Sequence, residues 1–315
     1  MQVKRSSGVA VAALVIASLL ARGGSAQEPA AAEFPVLSGP YLGQTPPGLT
    51  PQRFGPAAIH GNAAWFWHSS PGFSADGLEM YWAKYVPSAA VRLQIFFTTG
   101  RSGQWTAPAR PPFAGDGDEN EPRFSADGNS ILYVSVGAPG HIVRVRRTSS
   151  GWSQPVSLPL PGLPSGGLGW QYCVVGDGSV YVDGDLGQGG GEDLFRYPWT
   201  GGGFGPPQPV SVNTQHNEFA PYVAPDESYI IFVSNRPGGY GMHDLWIAFR
   251  QAGGTWSQPV NMGPDVNSAN EDAAPYVTAD GLYLFFTAQR SGDAGAPYWV
   301  STQLIDSIRV RAGLR

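Results

Sequence analysis

The stretch Phe73-Ser74-Ala75-Asp76-Gly77, followed by the apolar run Glu79-Met80-Tyr81-Trp82, decides the fold because versions of it recur along the chain. The turn aspartates of the five copies are 51, 50, 49 and 54 residues apart: Asp76, Asp127, Asp177, Asp226 and Asp280. Asp-Gly between two apolar runs is a strong signal for a tight β-hairpin, since glycine accepts the positive φ that such turns need. A period of about fifty residues predicts a β-propeller with one blade per repeat.

Each repeat has the same internal order, which predicts four strands per blade. A short strand enters the Asp-Gly turn, an apolar strand leaves it, and a third strand follows a glycine-rich loop. A fourth begins at an aromatic residue near a proline, as at Trp105 and Pro108. We therefore expect an all-β fold, a β-propeller of four-stranded blades, with five blades favoured. Residues 54–66 either complete the last blade and close the ring or form a degenerate extra blade, so six blades is the alternative.

The N-terminal segment has the pattern of a secretory signal peptide. Lys4 and Arg5 precede an apolar run over residues 8–21, which is shorter than the roughly twenty residues of a spanning helix. Gly24-Ser25-Ala26 supplies small residues for cleavage, and an uncleaved anchor is the alternative. The pattern predicts a signal peptide at 1–26, a Pro/Ala/Gly-rich N-terminal arm at 27–53, a propeller at 54–315, and a periplasmic or secreted product. We expect no membrane span in the mature chain.

Charge and cysteine content narrow the classes of partner. The net charge is -5, and removal of residues 1–26 takes away three cations and no acids, which lowers it to -8. An acidic chain is poorly suited to nucleic acid, so no nucleic-acid partner is expected. The single cysteine, Cys173, allows no internal disulfide and lies in a buried-strand pattern. We expect it to pack as a small apolar residue.

The repeat resembles the WD40-like blade of the TolB family, whose signature is Ser-Pro-Asp-Gly, an aliphatic-aromatic strand and a Ser-x-Arg loop. The stretch Phe232-Val233-Ser234-Asn235-Arg236-Pro237-Gly238-Gly239 matches that loop, and the resemblance covers about residues 68–300. Only the fourth repeat keeps the proline, at Pro225, and there Glu227 replaces the glycine; the third repeat lacks the serine. The resemblance implies a propeller and export. Members of such a group serve as binding modules, scaffolds and appended domains of enzymes, so it implies no particular ligand.

Strand order predicts which residues meet at the mouth of the central channel. Eight residues before each turn aspartate the repeats carry one histidine, three carboxylates and one glycine: His68, Glu119, Gly169, Glu218 and Asp272. Three cations, Lys84, Arg236 and Arg290, follow the second strands on the same face. The loop at 240–244 belongs to this face too, and Tyr240 and His243 are candidates because they do not recur in every repeat.

The ring of residues has two interpretations, which the sequence leaves open. Each acid could accept backbone N–H groups in its loop or pair with the arginine of a neighbouring repeat, which would make the ring structural. Alternatively, three carboxylates and a histidine could bind a polar ligand such as a sugar, or a divalent cation. No other cofactor is expected. The sequence contains no nucleophile elbow, zinc-protease motif, phosphate loop or cysteine pair.

Three functional hypotheses follow. The first is an exported, non-enzymatic propeller that binds a protein partner or a polar ligand on the mouth face. The second is a carbohydrate-active hydrolase or lyase that uses the same ring, with His68 or His243 as the base. The third is a scaffold that binds through the arm at 27–53. Unpaired charges in a pocket would favour the enzyme, whereas acids saturated by donors would favour a structural ring.

Overall fold

The computed structural model of the chain describes residues 34–60, 66–86, 89, 92–136, 140–163, 168–169, 171–185, 192–290 and 295–314. These residues form five antiparallel sheets with few helices. The predicted all-β propeller with five four-stranded blades is therefore confirmed.

The strands follow the repeats in order, except that the first, β1 (Gln52–Arg53), belongs to the last blade. The others are β2 (Phe66–Trp67), β3 (Gly72–Phe73), β4 (Glu79–Tyr85) and β5 (Leu93–Thr99) in blade 1; β6 (Glu119–Phe124), β7 (Ser130–Ser135), β8 (His141–Thr148), β9 (Gly151–Trp152) and β10 (Val156–Leu158) in blade 2; β11 (Tyr172–Val174), β12 (Val180–Gly184), β13 (Asp193–Tyr197) and β14 (Gln208–Pro209) in blade 3; β15 (Glu218–Val223), β16 (Tyr229–Ser234), β17 (Asp244–Phe249) and β18 (Val260–Asn261) in blade 4; and β19 (Asp272–Val277), β20 (Tyr283–Ala288) and β21 (Ala296–Ser301) in blade 5. In blade 1, β2 and β3 both pair with β4 and form one interrupted inner strand.

The signature residues build the Asp-Gly turn with their own side chains. Ser74 Oγ donates to Asp76 Oδ1 at 2.6 Å, and Asp76 Oδ1 also accepts the N–H of Leu78 at 3.0 Å. Gly77 has a φ of 66°, a conformation that costs glycine little. The recurring sequence thus supplies hydrogen bonds and a backbone conformation that reverse the chain between the first two strands of a blade.

The fourth repeat keeps this backbone without the glycine. Glu227 has a φ of 56°, where a side chain is strained. Its carboxylate accepts hydrogen bonds from Tyr181 Oη at 2.5 Å and from Arg196 Nε at 2.9 Å. Contacts to the neighbouring blade therefore offset the strain.

The ring closes through β1, which occupies the two residues directly before the segment 54–66 that the sequence indicated. Gln52 pairs with Trp299 and Arg53 with Tyr298, so β1 is the outer strand of blade 5. Within 54–66, Phe54 is fully buried and residues 57–60 form the short helix α1 (Ala57–His60), whereas residues 61–65 lie outside the described residues. Closure thus uses the end of the predicted arm.

The described part of the arm packs on the propeller. Tyr41 Oη donates to Asp280 Oδ2 at 2.6 Å, and the Tyr41 ring contacts Phe73 with centroids 4.9 Å apart. Trp105 Nε1 donates to the carbonyl of Gly39 at 2.8 Å. The segment from 34 onward therefore belongs to the folded unit. The predicted signal peptide and residues 27–33 lie outside the described residues.

The chain ends in a second helix, α2 (Gln303–Arg311), over the run at 305–310 that the sequence left unassigned. Leu304, Ile305 and Ile308 are buried against the core, and the N–H of Thr302 donates to the carbonyl of Leu282 at the turn of blade 5. Across the described residues, no helix is both long enough and apolar enough to cross a bilayer.

Candidate functional site

The inner strands begin at one end of the propeller, which we call the mouth face: residues 115–119, 214–218, 234–244 and 265–272. The end that bears the Asp-Gly turns is the turn face. Glu218 opposes Ser234, Asp272 opposes Ala288 and Glu119 opposes Ser135. The three carboxylates therefore occupy equivalent places, one in each of three blades.

Glu218 is saturated by internal donors. Its residue is 0% exposed, and its carboxylate accepts the Thr214 N–H at 2.7 Å and the Thr214 hydroxyl at 2.8 Å. Ser234 Oγ donates to it at 2.9 Å, and Arg236 Nη2 forms a salt bridge at 2.9 Å. The carboxylate thus ties the loop that enters the inner strand to the end of the second strand.

Glu119 and Asp272 repeat only the bond from the residue four positions earlier. Glu119 Oε1 accepts the Gly115 N–H at 2.9 Å, and Asp272 Oδ2 accepts the N–H and the hydroxyl of Ser268 at 2.5 and 2.9 Å. In all three blades the donor lies four residues before the acid. Burial raises the pKa of Glu119, and burial raises the pKa of Asp272 to about 6.

The two predicted arginines act on the same loops. Arg236 Nη2 donates to the carbonyl of Val212 at 2.9 Å, and Arg290 Nη2 donates to the carbonyls of Asp265 and Val266 at 2.9 and 2.8 Å. Each guanidinium therefore fixes the loop that enters the inner strand, and only a small part of Arg236 reaches solvent.

The remaining two ring candidates lie deeper in blade 1. Lys84 is 3% exposed, its Nζ donates to the carbonyl of Ile59, and the ring centroids of Trp67 and Trp82 lie 5.5 and 5.8 Å away. Burial lowers the Lys84 pKa to about 7. Burial also lowers the pKa of His68, to about 4, against a hydrogen bond with Asn120. Lys84 is thus a packed residue of the blade and not a cation at the mouth surface.

The 240–244 loop reaches outward from the mouth face. Tyr240 and Met242 are 53% and 59% exposed. His243 Nδ1 lies 3.0 Å from Glu271 Oε2, and its ring contacts Phe219 edge-on. His243 Nε2 is buried with no hydrogen-bond partner among the described residues.

Sequence reasoning missed a buried polar cluster around the channel axis. Glu121 has a φ of 51°, directly before Pro122, and its Oε2 bonds Arg123. Ala220 and Ala274 have the same conformation at equivalent positions. A following proline favours extended backbone, so this conformation is strained and the x-Pro of the inner strands gave no signal for it.

The cluster has an excess of negative charge. Burial raises the Glu121 pKa to about 7, with Arg123 opposing the shift and Asp183 adding to it. Asp183 Oδ1 accepts the Gln171 N–H and its Oδ2 accepts the Ala220 N–H, each at 3.0 Å, so it joins blades 3 and 4. Towards the mouth, burial and the charge of Asp183 raise the Glu192 pKa to about 7.

A metal centre is not apparent at the mouth. Within the described ranges, no three histidine, cysteine or acidic side chains are grouped so as to hold a metal ion. Cys173 Sγ instead accepts the Val223 N–H at 3.2 Å, and burial raises its pKa to about 11. A thiol with that pKa is not ionised near neutral pH, as the packed role predicts.

Comparison with known proteins finds similarity to solved structures at low sequence identity. No protein-family model matches the chain, and no curated protein does. TolB from Acinetobacter baumannii is 18% identical with a TM-score of 0.47, over 74% of this chain and 51% of that one, so the chain spans about half its length. TolB from Agrobacterium tumefaciens is 17% identical with a TM-score of 0.47, over 72% of this chain and 71% of that one. The α-L-arabinofuranosidase of Podospora anserina is 12% identical with a TM-score of 0.47, over 80% of this chain and 93% of that one.

The five sheets and the ring of inner strands define the class of protein as a five-bladed β-propeller. The propeller that the resemblance implied is confirmed by the strand pairing of the five sheets. Function has to be argued from the mouth face itself, because one propeller fold serves many activities.

Proposed function

We propose that this chain is an exported binding module that docks a partner protein on its mouth face, with Tyr240 and Met242 as the central contacts. The observation that carries the proposal is their exposure, 53% and 59%, on a loop whose backbone is fixed. Aromatic and methionine side chains are enriched in the centres of protein interfaces, where they bury large areas.

The loop is held in place by many hydrogen bonds. Asp244 accepts the N–H of Tyr240 at 2.5 Å and that of Gly241 at 3.1 Å. The N–H of Met242 donates to the carbonyl of Asn270 at 2.9 Å. A side chain in place of Gly241 would put its Cβ 2.3 Å from that carbonyl oxygen. Tyr240 and Met242 therefore stand on a preorganised support, which lowers the entropy lost on binding.

The predicted ring contributes by positioning. His68 and Lys84 lie within blade 1. The carboxylates and arginines of the ring hold the loops of this end: Glu119, Glu218, Asp272, Arg236 and Arg290. In this proposal they shape the surface that the partner meets, and His243 with Glu271 supplies its polar rim. A carbohydrate-active enzyme would need its carboxylates free. The hydrogen bonds of Glu218 engage both of its oxygens, whereas Asp272 Oδ1 has no hydrogen-bond partner among the described residues.

Site-specific photo-crosslinking in the native host tests the proposal. A benzophenone amino acid at position 240 is expected to capture one reproducible protein, which mass spectrometry identifies. Leu282 is the matched control, because it is also 53% exposed but lies in the turn of blade 5 on the opposite face.

The captured protein is then tested with purified components. Tyr240→Ala with Met242→Ser is expected to weaken its binding by about thirtyfold or more, since even one hot-spot residue contributes about 2 kcal/mol or more. Leu282→Ala is expected to leave the affinity unchanged. Capture of the same proteins from positions 240 and 282, or full affinity in the double variant, would refute the mouth face as the docking surface.

A further inference from the structure

Two arginines without acidic partners lie side by side between blades 2 and 3. Arg144 and Arg146 are two residues apart in β8, so their side chains leave the same face of the strand. That face also carries Ile142, which packs in the core cluster shared with Phe195 and Tyr197 of blade 3. Arg144 and Arg146 therefore face the neighbouring blade.

Arginines at two other junctions meet carboxylates, one of them, Arg147, from the opposite face of β8. Arg147 Nη2 lies 2.8 Å from Glu79 Oε2 between blades 1 and 2, and Arg196 Nε lies 2.9 Å from Glu227 Oε1 between blades 3 and 4. In the described part of the chain, by contrast, neither Arg144 nor Arg146 forms a salt bridge, and neither guanidinium donates a hydrogen bond. Burial of Arg144, with the nearby charge of Arg146, lowers the Arg144 pKa.

The walls beside this pair are apolar and aromatic. Val156 opposes Arg144 in the sheet, so the two share a face, and Val156 is 51% exposed. On the blade 3 side, Phe204 packs against the same cluster, and Tyr197 Oη is buried with no hydrogen-bond partner among the described residues. Because blades radiate from an axis, neighbouring sheets diverge at their outer strands and leave a wedge there.

The wedge is bounded towards the mouth face. The Cβ position of Gly162 lies 3.5 Å from Pro207 Cδ, which brings the loop after β10 against the start of β14. This contact closes the cleft on its mouth side, so Arg144 and Arg146 lie between it and the turn face, with Phe204 on the blade 3 side.

We infer that this cleft is an oxyanion site, in which Arg144 and Arg146 bind a phosphate or sulfate group whose apolar or aromatic body packs on Val156 and Phe204. Two adjacent guanidinium groups can offer paired N–H donors to the oxygens of such a group. In a chain of net charge -5, two neighbouring cations without a carboxylate otherwise only repel each other. The site is independent of the mouth face.

Calorimetric titration at low ionic strength tests the inference, with phenyl phosphate and inorganic phosphate as probes. Saturable binding of phenyl phosphate is expected, tighter than that of inorganic phosphate because only phenyl phosphate buries apolar surface. The R144Q/R146Q variant should bind about tenfold more weakly or worse, since charge-assisted hydrogen bonds are strong. R250Q/R311Q removes two exposed charges elsewhere and should bind like the wild type.

The single variant R146Q separates loss of binding from loss of folding, because Arg146 is exposed. It should unfold at the wild-type midpoint temperature and still bind phenyl phosphate more weakly. No saturable binding by the wild type, or the same loss in R250Q/R311Q, would overturn the site. Equal affinities for the two probes would overturn the apolar wall as part of it.

Discussion

Glu218→Ala is the substitution that separates a structural ring from a ligand-binding ring. The change removes an acceptor of four hydrogen bonds and leaves Arg236, whose side chain is 10% exposed, without its carboxylate. Loss of one partner of a buried ion pair costs about 3–5 kcal/mol. Glu218→Gln keeps the volume and one acceptor oxygen, so we expect a smaller loss, about 1–3 kcal/mol.

Equilibrium unfolding in urea, followed by tryptophan fluorescence, measures both losses at pH 7. Asp265→Ala is the matched control, because Asp265 is an exposed acid of the same face whose carbonyl, not its carboxylate, accepts from Arg290. We expect it to change the free energy of unfolding by less than about 0.5 kcal/mol. If the free energy of unfolding of Glu218→Ala lies within about 1 kcal/mol of the wild-type value, the buried ion pair is not structural. The ring would then be better explained as a ligand site.

Three further predictions concern the channel, the arm and the mouth loop. Glu121 has a pKa near 7 in the fold against 4.5 for an exposed glutamate, so the folded state binds the extra proton and stability falls as pH rises between those values. In Glu121→Gln the slope between pH 5 and pH 8 should be shallower, and an unchanged slope in unfolding midpoints would contradict this. Tyr41→Ala should cost about 3–5 kcal/mol because it removes a buried ring and the bond to Asp280, whereas Tyr240→Ala should cost under about 0.5 kcal/mol; similar losses by urea unfolding would count against the packed arm. Gly241→Ala should displace the mouth loop, reducing crosslinking from position 240 with little change in the unfolding midpoint; undiminished crosslinking would show that the loop is not preorganised.

The repeat was predictable because its signals are local. Asp76 and Gly77 mark a turn within five residues of sequence, and the period then counts the blades. The closing strand was harder to find, because Gln52–Arg53 is only two residues long and a strand of that length has no alternation to detect. The segment 54–66 looked suitable by position alone.

The site was predictable in location but not in contacts. The ring carboxylates were found by alignment of the repeats, yet one donor of each acid lies in the same loop, four residues earlier. Thr214 before Glu218 and Ser268 before Asp272 form a hydroxyl-acid pattern that carries this information. Lys84 was misjudged because its position after the aromatic run looked exposed, while burial depends on what a distant segment, Ile59, brings over it.

Closure of the ring by β1 has a consequence for how the chain reaches its native state. Gln52 and Arg53 pair with residues 299 and 298. About 245 more residues must therefore be synthesised before the partner strand of β1 exists. Contacts of such sequence separation are slow to form, because the loop entropy is lost before the contact rewards it. Blade 5 therefore exposes the edge of β21 until the N-terminal segment arrives, which makes closure the step at which an incomplete ring is open to wrong pairing with another copy.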